Sequence, residues 1–219
     1  MTVRALISVA FLAVLGQGCV PIRAPGVDAS EAAALRALAE LEPRFQDFVN
    51  TSLEGQGPAQ SLDKLELEIG RLLDLRLIYL ERLVQHSGSR FGLLGLVRVA
   101  ELHLDLAARA RSLPPPAAAT QDNVMAFFEI VEVYATPLEE TGLSILEQID
   151  TVGATVDPGS PWLSRTRLYL GLHAGDRYPR YHRDLPWLRR EVERELRFSP
   201  PSALLNAETL APRAARLLP

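Results

Sequence analysis

The chain has 219 residues, 47% of them hydrophobic, with a formal net charge of −4 and one cysteine. That is enough for one domain with a sizeable core, and a single cysteine excludes an intramolecular disulfide. After the first twenty residues there is no long uncharged run, so a later membrane-spanning helix is excluded as well.

The amino end reads MTVRALISVAFLAVLGQGC. Arg4 precedes an apolar run from Ala5 to Leu15, and Gly16 and Gly18 stand just before Cys19. This is the layout of a secretory signal peptide over 1–18, and its apolar run is shorter than the roughly 20 residues a bilayer core requires. Leu15-Gly16-Gln17-Gly18-Cys19 resembles the lipobox of bacterial lipoproteins, with the leucine four residues before the cysteine where the family has it three before. The resemblance implies cleavage before Cys19 and a lipid on its thiol, which would anchor the chain stably once two or more acyl chains are attached. Residues 19–29, with Pro21, Pro25 and Gly26, then read as a flexible linker. Val20 rather than aspartate after the cysteine implies, by enteric-type sorting, the outer membrane of a Gram-negative cell with the body facing the periplasm.

From Ser30 the pattern is helical. Ser30 is expected to cap a first helix with an apolar stripe of Leu35, Leu38, Phe45, Phe48 and Val49, stopped by Gly55-Gln56-Gly57-Pro58. Ser61 opens a second helix, apolar almost all round through Leu73, Leu75, Leu77, Ile78 and Tyr79, and so expected to be buried. A third spans about Arg90 to Ser112. Its Arg98, Glu101, Asp105 and Arg109 recur at three, four and four, which predicts one thin wet stripe on a helix otherwise packed in the middle of a stack. Pro114-Pro115-Pro116 breaks it. A fourth helix follows from Thr120 or Asp122, bent or restarted at Pro137, with an apolar face through Phe127, Phe128, Val131, Leu138, Leu146 and Ile149 and a wet face of glutamates. A fifth starts at Ser160-Pro161 and runs to about His173, and a sixth runs from Pro186 to about Arg197. The tail, 199–219, is rich in Pro and Ala and offers one weak helix. No segment alternates with period two, so the fold class is all-α, a helical domain over 30–198 built as a bundle or an α-solenoid.

Leu96-Val97-Arg98-Val99-Ala100-Glu101-Leu102-His103 resembles the first helix of a tetratricopeptide repeat, with Leu96, Val99, Ala100 and His103 at the signature positions. Pro137 to Ile149 is similar to the second helix, with Gly142 at the small position. The resemblance spans roughly Leu62 to Gly175, and most signature positions are substituted. It implies antiparallel hairpins stacked as a protein-binding scaffold, with no catalytic residues to carry over.

Catalytic, metal and cofactor motifs are missing: there is no Gly-rich phosphate loop, nucleophile elbow or HExxH. Glu101, His103 and Asp105 are two apart, so on one helix they diverge by about 200° and cannot share a metal. His103 is expected in the core.

Charge is divided along the chain. Between Arg111 and Arg165 there are eight acids and no base, whereas from Arg165 onward eleven arginines face six acids. Adjacent helices pairing within the molecule account for this as well as a basic partner or anionic lipid headgroups would. Nucleic acid ranks behind both for an exported protein. Tyr178, Tyr181 and Trp187 with Arg189, Arg190 and Arg194 have the composition of an interface and are the candidate partner-binding residues. The sequence thus predicts a non-catalytic, membrane-tethered helical-repeat adaptor for other cell-envelope proteins. The rival expectations are a carrier with an apolar cavity lined by Phe127, Phe128 and Tyr134, and an enzyme whose histidines and carboxylates converge in a cleft.

Overall fold

The turn signals of the sequence become the ends of helices. The computed structural model describes residues 27–86, 89–117, 120–156 and 158–198; the expected signal peptide, Cys19, the linker as far as residue 26 and the tail from Ser199 lie outside the described residues. The order is α1 (Val27–Asn50), α2 (Pro58–Leu83) with a 3-10 turn at Val84–His86, α3 (Arg90–Arg111), α4 (Gln121–Val156), α5 (Pro161–His173), α6 (Pro179–Arg183) and α7 (Leu185–Phe198). The chain is all-α, with no strand among the described residues.

Two starts differ from the sequence reading. α1 is already helical at Val27, so Ser30 lies inside its first turn. α2 begins at Pro58, a residue suited to the first helical position because its missing N–H has no intrahelical partner there. Ser61, inside the helix, instead accepts a bond from the Gly55 N–H at 3.0 Å and ties down the loop before it. α3 is capped by Ser89, whose Oγ accepts from the Gly92 N–H at 3.0 Å.

α4 runs through Pro137 as one helix of 36 residues. The proline leaves the Val133 carbonyl without its usual donor, and Val133 is 70% exposed, so water can supply the bond. The Thr141 hydroxyl donates to the Pro137 carbonyl at 2.7 Å. α6, a five-residue helix, is a feature the sequence reading lacks, because one turn is too short to show a period.

α3 occupies the centre of the molecule. It packs on α1 and α2 on one side and on α4 and α5 on the other, and α5 in turn carries α6 and α7. The main contacts of each helix are with its next or next-but-one neighbour in the chain, as in stacked helical hairpins. α4 is the most intimate neighbour of α3, and Gly142 is the reason. A Cβ there would lie 2.9 Å from Leu104 Cγ and 3.2 Å from the Ala100 carbonyl oxygen. Gly171 does the same for α5 against α6, where a Cβ would meet the Tyr181 backbone at 2.8 Å. Around these approaches a continuous core forms from Phe45, Phe48, Leu65, Leu72, Tyr79, Val97, Leu104, Val131, Leu146 and Leu170, among others.

The second helix corrects an expectation. Leu65, Leu72, Leu75 and Tyr79 are buried, but Leu67 (66%), Leu73 and Leu77 face outward. A leucine-rich helix is not buried all round when it has neighbours on one side only.

Candidate functional site

The four polar residues of α3 are inside the protein, which overturns their assignment to a wet stripe. Arg98, Glu101, Asp105 and Arg109 are all buried, Glu101 being 4% exposed. The stripe faces α1 and α5, and those helices bring the opposite charges. Arg98 Nη1 meets Glu101 Oε2 at 2.9 Å and its Nη2 meets Glu42 Oε1 of α1 at 3.0 Å, while the guanidinium lies 4.4 Å from the Phe45 ring centre. Glu101 Oε1 pairs with Arg165 of α5 and accepts the Tyr169 hydroxyl at 3.0 Å. One turn on, Arg109 Nε pairs with Asp105 at 2.8 Å, donates to the Thr51 carbonyl at 2.8 Å and lies over Phe48. Arg71 of α2 continues the line to Asp47 (2.6 Å) and Glu68 (2.7 Å).

The electrostatics follow from this arrangement. Burial pushes the Glu101 carboxyl up, but Arg165 and Arg98 with their hydrogen bonds outweigh it and hold it below the ordinary carboxylate range. Burial pushes the Tyr169 phenol up to about 12. Glu101 and Glu42 balance Arg98 and Arg165, and Asp105 balances Arg109. A charge-balanced, hydrogen-bonded seam of this kind locks the register of α1, α3 and α5, and it presents no poised acid or base to a substrate. Glu42 and Arg165 were not singled out in the sequence, and Tyr169 stood out there only as one of the aromatic residues of the arginine-rich half. The signal available was the four-residue spacing of Arg165 and Tyr169 in an otherwise apolar helix.

Two histidines come closest to chemistry. His173 Nδ1 lies 3.1 Å from Glu139 Oε1, and Arg111 holds the other Glu139 oxygen at 2.6 Å. The bond from His173 comes first among the causes that bring the Glu139 carboxyl down to about 2, with Arg111 adding to it against burial. Nε2 of His173 is buried and meets no hydrogen-bond partner among the described residues. His103 is in the core, as expected. Neither of its nitrogens has a hydrogen-bond partner among the described residues, and burial, reinforced by Arg76, lowers its pKa to about 3. It is a neutral ring packed in the interior. Among the described residues no cluster of three or more His, Cys, Asp or Glu could hold a metal ion, and no helix is long and apolar enough to cross a membrane.

Much of the divided charge pairs internally. Arg167 bonds Asp150 at 2.8 Å, Arg177 meets Glu147 at 2.8 Å, and Arg111 bridges Glu132 and Glu139. Tyr181 joins this set, donating to Asp150 at 2.6 Å and stacking on Tyr178 with ring centres 5.7 Å apart. Trp187, Arg189 and Arg190 are exposed; Arg194 lies on α7 with its side chain outside the described ones. Phe127, Phe128 and Tyr134 do not enclose a common space. Phe127 is buried and Phe128 exposed, and the Tyr134 hydroxyl reaches across to Glu66 of α2 at 2.6 Å.

That last bond links α2 to α4, and both helices carry exposed apolar side chains. On α2 these are Leu67, Leu73 and Leu77, and on α4 they are Met125, Phe128, Ile130 and Val133. Compared with known families, curated proteins and solved structures, the chain matches none.

Proposed function

We propose that the chain is a membrane-tethered helical-repeat scaffold of a Gram-negative cell envelope, lipidated at Cys19, which binds other envelope proteins and performs no reaction. The observation that carries the reading is the exposed apolar side chains of α2 (Leu67, Leu73 and Leu77) and of α4 (Met125, Phe128, Ile130 and Val133), two helices bridged by Tyr134 and Glu66. Exposed apolar side chains scattered singly need no explanation, whereas a group recurring on two adjoining helices marks a binding surface. The stacking of each helix on its chain neighbours supports the repeat reading, because such stacks offer extended faces to partners. The buried, neutralised ion seam supports a non-catalytic role. The lipobox-like Leu15 to Cys19 supports the tether.

A photo-crosslinking residue at Val133 or Leu77, with radiolabelled palmitate in intact cells, tests both halves of the reading. A discrete adduct of constant mass is expected at both positions, lost on Leu73→Asp with Ile130→Asp. Palmitate is expected on the natural chain and not on Cys19→Ala. Adducts no more discrete than those from a crosslinker at exposed Arg44 would overturn the scaffold; equal palmitate on Cys19→Ala would overturn the tether.

A further inference from the structure

The end of the described chain carries a surface that the internal pairing leaves over. α6 and α7 are separated by Asp184 alone; Arg183 ends α6, and Trp187 and Arg190, three residues apart, share one face of α7. Leu188 is buried and Val192 half-buried on the opposite side, which seats α7 on α5. Arg183 is 75% exposed in its side chain and Trp187 53%, with Arg189 and Arg190 also exposed. The acids nearby are Asp184, which meets Arg183 at 3.3 Å and Arg180 at 3.9 Å, Glu191, half-buried on the flank, and Glu193 at the edge. The sequence continues with Arg194, Glu195 and Arg197, whose side chains lie outside the described ones.

We infer that this α6–α7 face is a docking surface for a membrane bearing phosphate headgroups. Two properties select a bilayer surface as the occupant. A half-exposed indole on a helix face that also carries an exposed arginine matches the headgroup layer, where tryptophan sits with its ring among the lipids and its N–H at the wet boundary. The arginines supply charge complementary to lipid phosphate and fork geometry suited to its oxygens. A third support rests on the tether reading. Only Val20 to Gly26 separate Cys19 from the start of α1, so an acylated chain would keep this face within tens of ångströms of the bilayer.

The test uses the full chain carrying Cys19→Ala, so that no acyl group contributes. It measures co-sedimentation with vesicles of phosphatidylglycerol and phosphatidylcholine, and with phosphatidylcholine vesicles doped with lipopolysaccharide, each against phosphatidylcholine alone. The apolar amino-terminal run acts on all three, so the difference between vesicles is the readout. Binding to at least one phosphate-bearing vesicle about tenfold tighter than to phosphatidylcholine is expected, and which of the two it is identifies the source of the phosphate. Trp162 is already buried, so a blue shift of emission on binding reports Trp187 and should vanish in Trp187→Phe. Arg183→Glu with Arg190→Glu should abolish the preference at an unchanged thermal midpoint, and high salt should weaken it in the natural sequence. Should that pair unfold the chain, Arg183→Gln with Arg190→Gln decides in its place. Equal binding to all vesicles, a preference that survives the arginine changes, or binding without a blue shift overturns the inference, as does capture by an acidic protein with no vesicle binding. None of these outcomes bears on the adducts at Val133 or the palmitate on Cys19.

Discussion

Arginine has opposite fates at the centre of this molecule and on its last described helix. In the α1–α3–α5 seam Arg98, Arg109 and Arg165 are buried, each held by a carboxylate and each lying over an aromatic ring. On α7, Arg189 and Arg190 are exposed to water. The difference lies in what the neighbours supply. α3 is enclosed on two sides, so its charges are tolerated only where α1 and α5 deliver opposite ones at hydrogen-bond distance. α7 packs on α5 and the short α6 and has a free side. The same residue therefore acts as a fixed internal strut in one region and as a solvated surface charge in the other.

The sharpest way to break this comparison is Glu101→Gln. It leaves Arg98 and Arg165 buried around an amide, and removing one partner of a buried ion network costs about 3–5 kcal/mol. Urea denaturation should show that loss; a change within about 0.5 kcal/mol would place the stripe in water after all. Because the folded-state pKa of Glu101 is depressed, its contribution is full above the unfolded carboxylate range and falls as pH drops through that range.

His103→Leu sharpens the contrast at smaller scale. The ring is buried without hydrogen bonds, and such polar groups carry a penalty of about 1–3 kcal/mol, so the leucine variant should equal or exceed the natural chain in stability at neutral pH. Burial lowers the folded pKa of His103 from the ordinary 6.5 to about 3, so the folded state cannot take up the proton that the unfolded chain accepts. Stability from this group is complete above 6.5 and declines as pH falls from there toward 3. His103→Leu should remove the part of that decline above the carboxylate range. An unchanged thermal midpoint profile between pH 7 and 5 in the variant would show that His103 is not buried neutral.

The smallest effect is expected on α7. Arg189→Glu with Arg190→Glu should change the midpoint of urea denaturation by no more than about 0.5 kcal/mol, since exposed charges contribute about 0–1 kcal/mol each and are screened. A loss comparable to that of Glu101→Gln would join these arginines to an internal network and erase the distinction.

How far the sequence reveals this can be traced residue by residue. Helices and their breaks are legible because Gly55-Gln56-Gly57-Pro58, Pro114-Pro115-Pro116 and Ser160-Pro161 act locally, through backbone restrictions that need no tertiary partner. The spacing of Arg98, Glu101, Asp105 and Arg109 is legible too, but the direction it faces is not. That depends on Glu42, Arg165 and Tyr169, which lie 56 to 68 residues away along the chain. A clue was present in the alternation of sign, since Arg98 with Glu101 and Asp105 with Arg109 form neutral pairs that a solvated stripe does not require. The outward turn of Leu67, Leu73 and Leu77 is illegible for the converse reason. Leucine spacing specifies an amphipathic helix, and how many neighbours surround that helix is set by the stack. The surface on α6 and α7 was half legible: Trp187, Arg189 and Arg190 stand out by composition, while Tyr178 and Tyr181, chosen on the same ground, are tied to each other and to Asp150.

Pro137 has a mechanical consequence. α3 is 22 residues long and α4 is 36, so the amino-terminal part of α4 overhangs its main support, and Pro137 lies close to where that support ends. From there to Gln121 is a lever of about 24 Å at 1.5 Å per residue. A helix bends most readily where a backbone bond is missing, and a 10° flexure at this point would swing the tip by about 4 Å. Met125, Phe128, Ile130 and Val133 ride on that lever, so a bend at Pro137 would move these apolar side chains together, against the hold of buried Phe127 and Val131 and of the Glu132–Arg111 and Tyr134–Glu66 contacts.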